Sequence, residues 1–195
     1  MPQWARLISP SPAFLELRDV ALVCTACRLA ETRTNVVFGV GATNAKLMLV
    51  GEAPGRNEDL QGEPFVGAAG QLLDELLASI GIQREEAYIA NVLKCRPPGN
   101  RDPQPDEIDS CKGYLREQIR MIQPEVVVTL GNFATKLLVP TEHGITRMRG
   151  KAIDWWLGAK LVPTFHPAAA LRGGPQVKAQ MAEDFALVRS ILETS

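Results

Sequence analysis

Lys46-Leu-Met-Leu-Val-Gly-Glu52 is a short apolar run that ends on a glycine and a carboxylate, and three further runs of the same kind follow it, Ala87–Leu93, Glu125–Gly131 and Lys160–His166. Their length and aliphatic content read as strand. Between them the apolar spacing changes to that of helices. Leu72, Leu73, Leu76, Leu77 and Ile80 mark one helix, which Gly81 can end. Ile108, Cys111, Leu115, Ile119 and Ile122 mark a second, entered through Pro105-Asp106 and closed before Pro124. Met181, Phe185, Val188 and Leu192 mark a third, and a further helix is expected from Phe14 to Val23. Strands alternating with helices predict an α/β fold with a parallel sheet covered on both faces, because parallel neighbours need crossover connections. Ligands of such sheets bind at the carboxyl ends of the strands. Glu52, Asn91 and His166 stand at or near such ends, so all three are expected to face one cleft. No repeat or linker divides the chain, and Pro97–Pro105 reads as a polar loop inside one domain spanning residues 1–195.

The 195 residues are 46% hydrophobic and 22% charged, the balance of a chain that buries a sizeable core without staples. A net charge of −1 gives no overall electrostatic sign of nucleic acid. Any such contact must come from local groups: Arg147-Met-Arg149-Gly-Lys151, Arg96 with Arg101, and Arg172 beside a Gly-Gly-Pro turn. Each of these, taken alone, reads as solvated surface. No apolar stretch is long enough to span a bilayer and no secretory leader is visible, so a cytoplasmic protein without membrane contact is expected.

The four cysteines, Cys24, Cys27, Cys95 and Cys111, are spaced C-x2-C-x67-C-x15-C. An x2 pair lets two thiolates on one turn ligate the same centre, and a second pair closes the set. Disulfides fit poorly where no secretory leader is present. Cys111 alone would read as a small core residue on the apolar stripe of its helix. Zinc and an iron–sulfur cluster both accept four thiolates, and spacing does not separate them.

Gly51-Glu-Ala-Pro-Gly-Arg-Asn-Glu-Asp59 follows the first strand directly, with Pro64-Phe-Val-Gly67 shortly after. It matches neither a P-loop nor a dinucleotide-binding fingerprint. It resembles the first catalytic motif of the family 4 uracil-DNA glycosylases. Asn91-Val-Leu-Lys-Cys-Arg-Pro-Pro98, Asn100-Arg101 and His166-Pro-Ala-Ala-Ala-Leu-Arg172 resemble further motifs of that family, and the likeness covers Cys24 to Arg172, about three quarters of the chain. The resemblance implies a three-layer α/β/α sandwich around a central four-stranded parallel sheet. It also implies a structural 4Fe-4S cluster on the four cysteines, and a monofunctional glycosylase that removes uracil from DNA as part of base-excision repair.

Each residue role that the resemblance implies has a chemical rationale. A stacked, paired uracil must be flipped into a pocket before its glycosidic bond is reached. Phe65 would stack on the base, although alone it reads as a core ring. Asn91 would read the pyrimidine edge, since one fixed amide complements the N3 and O4 pattern of uracil and not that of cytosine; alone it reads as a strand-end residue serving the backbone. His166 would donate to O2 of the departing base, and Glu52 would orient the attacking water and favour a cationic sugar. The backbone of Ala53 and Pro54 would line the pocket, and Glu58 would help exclude the thymine methyl. In family 1 enzymes an aspartate stands where this chain has Ala53, so water activation differs from theirs. No lysine occupies an evident nucleophile position, which leaves a lyase step without a residue. Leu171 and Arg172 are candidates for a wedge and phosphate contact, with Arg101 and Arg149 as further DNA contacts. Two other readings remain: a binding module without turnover, and a relative that traps abasic DNA through a histidine in a basic loop, which the segment after Asn91 lacks. Uracil-containing DNA and downstream repair enzymes are the expected partners, and a monomer is the expected state.

Overall fold

The computed structural model describes residues 9–194. Its helices are α1 (Pro12–Leu22), α2 (Arg56–Gln61), α3 (Ala68–Ser79), α4 (Pro105–Ile122), α5 (Asn132–Leu138), α6 (Ile145–Met148) and α7 (Pro167–Thr194). Its strands are β1 (Val40–Gly41), β2 (Leu47–Gly51), β3 (Tyr88–Asn91), β4 (Val126–Leu130), β5 (Ile153–Asp154) and β6 (Lys160–Thr164). The strands form one sheet in the order β1-β3-β2-β4-β6-β5. The expected four-stranded parallel sheet is therefore corrected to a six-stranded mixed one. The four strands read from the sequence form its parallel centre, and two-residue strands pair antiparallel at each edge. Such short edges carry no periodicity that a sequence could reveal.

Alternation along the central strands explains the layering. In β2, Met48 and Val50 turn to one face and pack with residues of α1 and α4 such as Phe14, Leu115 and Ile119. Leu47 and Leu49 turn to the other face and pack with Leu73, Leu77, Met181 and Phe185 of α3 and α7. Successive strand residues face opposite sides, so a strand buried on both must be apolar throughout. All five residues of β2 and of β4 are buried accordingly.

The order of the strands locates the cleft. From β2 the chain crosses to β3 on one side, then returns past β2 to β4 and onward to β6. The direction of winding reverses between β2 and β4, and in open α/β sheets a crevice forms outside the carboxyl ends at such a reversal. Glu52, Asn91, Gly131 and His166 all lie at that edge, each within two residues of the end of its strand.

The C-terminal stripe lies on α7, which is broken at Gly174 (φ 74°) ahead of Pro175. Proline cannot donate to the preceding turn, and glycine alone adopts that φ without strain. The segment carrying Pro167–Arg172 is thereby set apart from the long helix that packs on the sheet through Met181, Phe185 and Val188. Replacing the fully buried Phe185 with alanine removes the centre of that packing. It is expected to lower the unfolding free energy by about 3–5 kcal/mol, read from urea denaturation; a loss below about 1 kcal/mol would contradict this account.

Candidate active site

A cleft of about 590 Å³ opens at the carboxyl edge of the sheet, lined among others by Glu52, Phe65, Asn91 and His166. Main-chain pairing sets the first contacts. Gly51 pairs with Asn91 in the parallel register of β2 and β3. Beyond the strands the ladder continues, as Val92 donates its N–H to the Gly51 carbonyl at 2.9 Å and Leu93 to that of Glu52 at 3.0 Å. Glu52 and Asn91 thus leave the sheet side by side. Gly51 is required by what meets over it: a Cβ there would lie 2.3 Å from Asn91 Oδ1 and 2.7 Å from the Phe65 ring.

Phe65 is buried although it sits in a loop, and its φ of 54° is a left-handed conformation that a bulky side chain seldom adopts. The carboxylate of Glu58 braces the loop by accepting the Val66 N–H at 3.1 Å. The Phe65 ring lies 5.7 Å from the His166 ring at a tilt of 31°, so the two form adjoining walls of the cleft. Burial raises the proton affinity of the Glu52 carboxyl, and the negative charge of Asp102 across the cleft raises it further.

The imidazole of His166 is held neutral. Burial lowers its pKa to about 4, the Arg172 guanidinium pushes in the same direction, and Glu58 opposes them. Its Nδ1 accepts the Ala168 N–H at 3.2 Å. In a neutral ring one nitrogen accepts and the other donates, so Nε2 carries the proton. The ring is therefore a hydrogen-bond donor without a positive charge.

Of the residues singled out from the sequence, Glu52, Ala53, Pro54, Glu58, Phe65, Asn91, His166, Arg101 and Arg172 line the cleft. Leu171 does not line it; it is 53% exposed beside Arg172. The guanidinium of Arg101 is already bound to the buried Glu107 carboxylate, with Nη1 at 3.0 Å from Oε2. The structure places Arg149, a DNA-contact candidate from the sequence, away from the cleft. Its side chain is only 16% exposed, and both its Nε and Nη2 donate to the Asp184 carboxylate. Charge alone suggested a surface role, but the carboxylate that captures it lies 35 residues away. Sequence reasoning missed Asp102, Asn132 and Phe133, which also line the cleft. The last two follow β4 directly, and the strand-end rule could have found them had α5 been recognised.

The four thiols are free. Among the described residues no three His, Cys, Asp or Glu side chains are placed to hold one metal ion. The cysteines nevertheless lie within one another's electrostatic reach. Burial raises the Cys95 thiol, with Arg33 opposing and Cys27 and Cys24 adding to the rise. Burial likewise pushes Cys111 up to about 11, with Lys94 opposing and Cys95 and Cys27 adding. Cationic and N–H donors already face the sulfurs: Lys94 N–H to Cys111 Sγ at 3.2 Å and Arg33 Nη1 to Cys95 Sγ at 3.4 Å.

The family model described as the Uracil DNA glycosylase superfamily matches residues 38–186. The chain is 50% identical over 169 residues to a type-4 uracil-DNA glycosylase of Archaeoglobus fulgidus, covering 83% of this chain and 84% of that protein. It is 46% identical to a type-4 uracil-DNA glycosylase of Thermotoga maritima, covering 87% and 90%, and 44% identical to one of Sulfurisphaera tokodaii, covering 92% and 84%.

The lowered pKa of His166 has a defined sign. An unfolded chain takes up this proton near pH 6.5, whereas the folded ring resists until about pH 4. Stability therefore falls as the pH drops through that interval. Titration by NMR is expected to show one of the two imidazoles, identified as His166 by its loss in His166→Asn, with a midpoint near 4. A midpoint at or above 6.5 would contradict the burial seen here.

Proposed function

Because the chain belongs to the uracil DNA glycosylase superfamily, and within it to the type-4 uracil-DNA glycosylases, we propose that it excises uracil from DNA by flipping the nucleotide into this cleft and hydrolysing its N-glycosidic bond. The observation that carries the reading is that a carboxylate, an aromatic ring, an amide and a neutral imidazole line one cavity. The face of Phe65 offers the flipped base a stacking surface. The buried amide of Asn91 is held by the sheet, so it matches one arrangement of donors and acceptors on the pyrimidine edge and leaves the cytosine pattern unpaired. Negative charge grows on the base as the bond breaks, and Nε2–H of His166 donates to O2. A neutral donor stabilises that charge without handing over its proton in the ground state. Glu52 orients water towards the sugar carbon and, with Asp102, supplies negative charge beside an oxocarbenium-like sugar. Glu58 supports this pocket through the Phe65 loop, and its carboxylate helps exclude the thymine methyl.

No lysine among the described residues lines the cleft, which favours attack by water over attack by an amine and leaves an intact abasic strand. Exposed Leu171 is the wedge that fills the vacated stack, and Arg172 contacts phosphate beside it. The reading extends to a monomeric chain in the cytoplasm whose abasic product passes to downstream base-excision repair enzymes. No helix among the described residues is long and apolar enough to cross a membrane.

Cys24, Cys27, Cys95 and Cys111 suit a 4Fe-4S cluster. Lys94 is 1% exposed, and its Nζ donates to two neutral acceptors, the Asn91 carbonyl at 2.8 Å and Gln118 Oε1 at 2.6 Å. No carboxylate among the described residues forms an ion pair with it. A buried ammonium is costly unless anionic charge lies nearby, and a four-thiolate centre supplies that charge beside the Lys94 backbone. Zinc and an iron–sulfur cluster both accept four thiolates, and the likeness to the type-4 uracil-DNA glycosylases favours the cluster. When bound, the cluster ties the segment after α1 to the loop after β3. Hydrolysis of the bond moves no electrons, so this role is structural.

Purified protein incubated with a uracil-containing oligonucleotide is expected to yield strands that break at the uracil on alkaline treatment. Glu52→Gln and His166→Ala should each lower the rate by about 10² to 10³. Intact strands from wild-type protein would sink the proposal. Asp102 raises the Glu52 pKa and the carboxylate is the working form, so Asp102→Asn should move the acid limb of kcat/KM to lower pH; an unmoved limb would contradict the coupling. Protein as purified is expected to be brown and to contain iron, and Cys95→Ala to lose both with a fall in Tm.

A further inference from the structure

Asp184 is 1% exposed on α7 and is not part of the cleft lining. Its contacts converge on the residues that precede His166. Thr164 Oγ1 donates to Asp184 Oδ2 at 2.6 Å. Arg149 donates to the same carboxylate twice, from Nε to Oδ2 at 3.1 Å and from Nη2 to Oδ1 at 2.6 Å. The Arg149 guanidinium also donates to the Gln180 carbonyl and lies over the Phe165 ring, 5.8 Å from its centre. Gly150, next in the chain, donates its N–H to the Pro163 carbonyl at 3.0 Å. Pro163, Thr164 and Phe165 are thus held in succession, and the next residue is His166.

The position of this ion pair has a physical reason. A buried bidentate pair contributes little net stability compared with apolar side chains of similar volume, so packing alone does not account for it. The break at Gly174-Pro175 separates the segment that follows His166 from the long part of α7 anchored in the core. Asp184 and Gln180 lie beyond the break, whereas Thr164 and Phe165 lie before it. The contacts of Asp184 and Arg149 bridge the discontinuity and tie the end of β6 to the anchored helix.

We propose that Asp184 and Arg149 are positioning residues which, through Thr164 and Phe165, aim the Nε2–H of His166 into the cleft, and that Arg149 serves this purpose rather than DNA binding. The inference rests on the donor role of His166 proposed above. A displacement of about 1 Å in such a donor costs on the order of a hundredfold in rate, so an internal clamp here matters for turnover more than for affinity.

Thr164→Val, Asp184→Asn and Arg149→Gln are to be measured for kcat, KM, Tm, the NMR signals of His166, and the salt dependence of binding to uracil-free DNA. Thr164→Val keeps the side-chain shape and the Asp184–Arg149 pair, so it reports even where Asp184→Asn fails to fold. Each variant that folds should lower kcat by about tenfold to a hundredfold, leave KM and the salt slope unchanged and move the His166 signals. In a His166→Ala background, Thr164→Val should lower kcat no further. If Arg149→Gln instead keeps kcat and reduces the salt slope by about one, Arg149 is a phosphate contact and the proposal fails. It also fails if Tm falls while kcat and the His166 signals stay as in the wild type, or if the effect of Thr164→Val persists without His166. Wild-type kcat in His166→Ala would sink the donor role itself, whereas unmoved imidazole signals in Thr164→Val would sink the clamp alone.

Discussion

Gly51 and Asn91 are neighbours in the parallel pairing of β2 with β3, and the whole cleft is built around how little space that pairing leaves. Main-chain hydrogen bonds carry the register past both strands to Leu93 and Glu52. The carboxylate and the amide are therefore set relative to each other by backbone, which is far stiffer than any side-chain contact could make them. Absence of a Cβ at position 51 then lets both the Phe65 ring and the Asn91 amide approach the main chain there. Phe65 adopts a strained φ to do so, and the Glu58 carboxylate on the following N–H offsets part of that cost. A pocket built in this way takes its shape from the main chain.

Buried charge at three places around this framework is handled in two ways. Glu107, fully buried at the start of α4, takes both the Arg101 guanidinium and the Gln104 N–H, and so shapes the loop that carries Asp102. Asp184 takes Arg149 and the Thr164 hydroxyl, and so ties β6 to α7. Both are bidentate guanidinium–carboxylate pairs, the geometry in which burial is best compensated. Lys94 differs, because its ammonium donates to amide oxygens and lies over the Phe38 ring while its backbone N–H is directed at Cys111. Burial lowers its pKa to about 8, with Cys111 opposing that change. The same lysine donates to the carbonyl of Asn91, so the cysteine segment and the end of β3 share one buried side chain.

Much of this was legible in the chain itself. Apolar runs of strand length separated by helical stripes are local patterns, and they located β2, β3, β4, β6 and the main helices. The rule that strand ends carry ligands then drew Glu52, Asn91 and His166 together without coordinates. The short edge strands and helices α2, α5 and α6 were not legible, because two to seven residues hold too little periodicity to rise above composition. That is why Phe133 and Asn132 were missed at the mouth of α5.

Residue types and their order along the chain thus determined the layered α/β architecture, the edge of the sheet that carries the cleft, and the side chains available to it, since each depends on neighbours within a few positions. Only the tertiary structure decided that Arg149 is spent on Asp184, that Arg101 is held by Glu107, that Phe65 is turned into a left-handed conformation, and that His166 is a neutral donor. Charge, strain and tautomer are set by the partner and by the exclusion of water, and for Arg149 that partner comes from a segment 35 residues away.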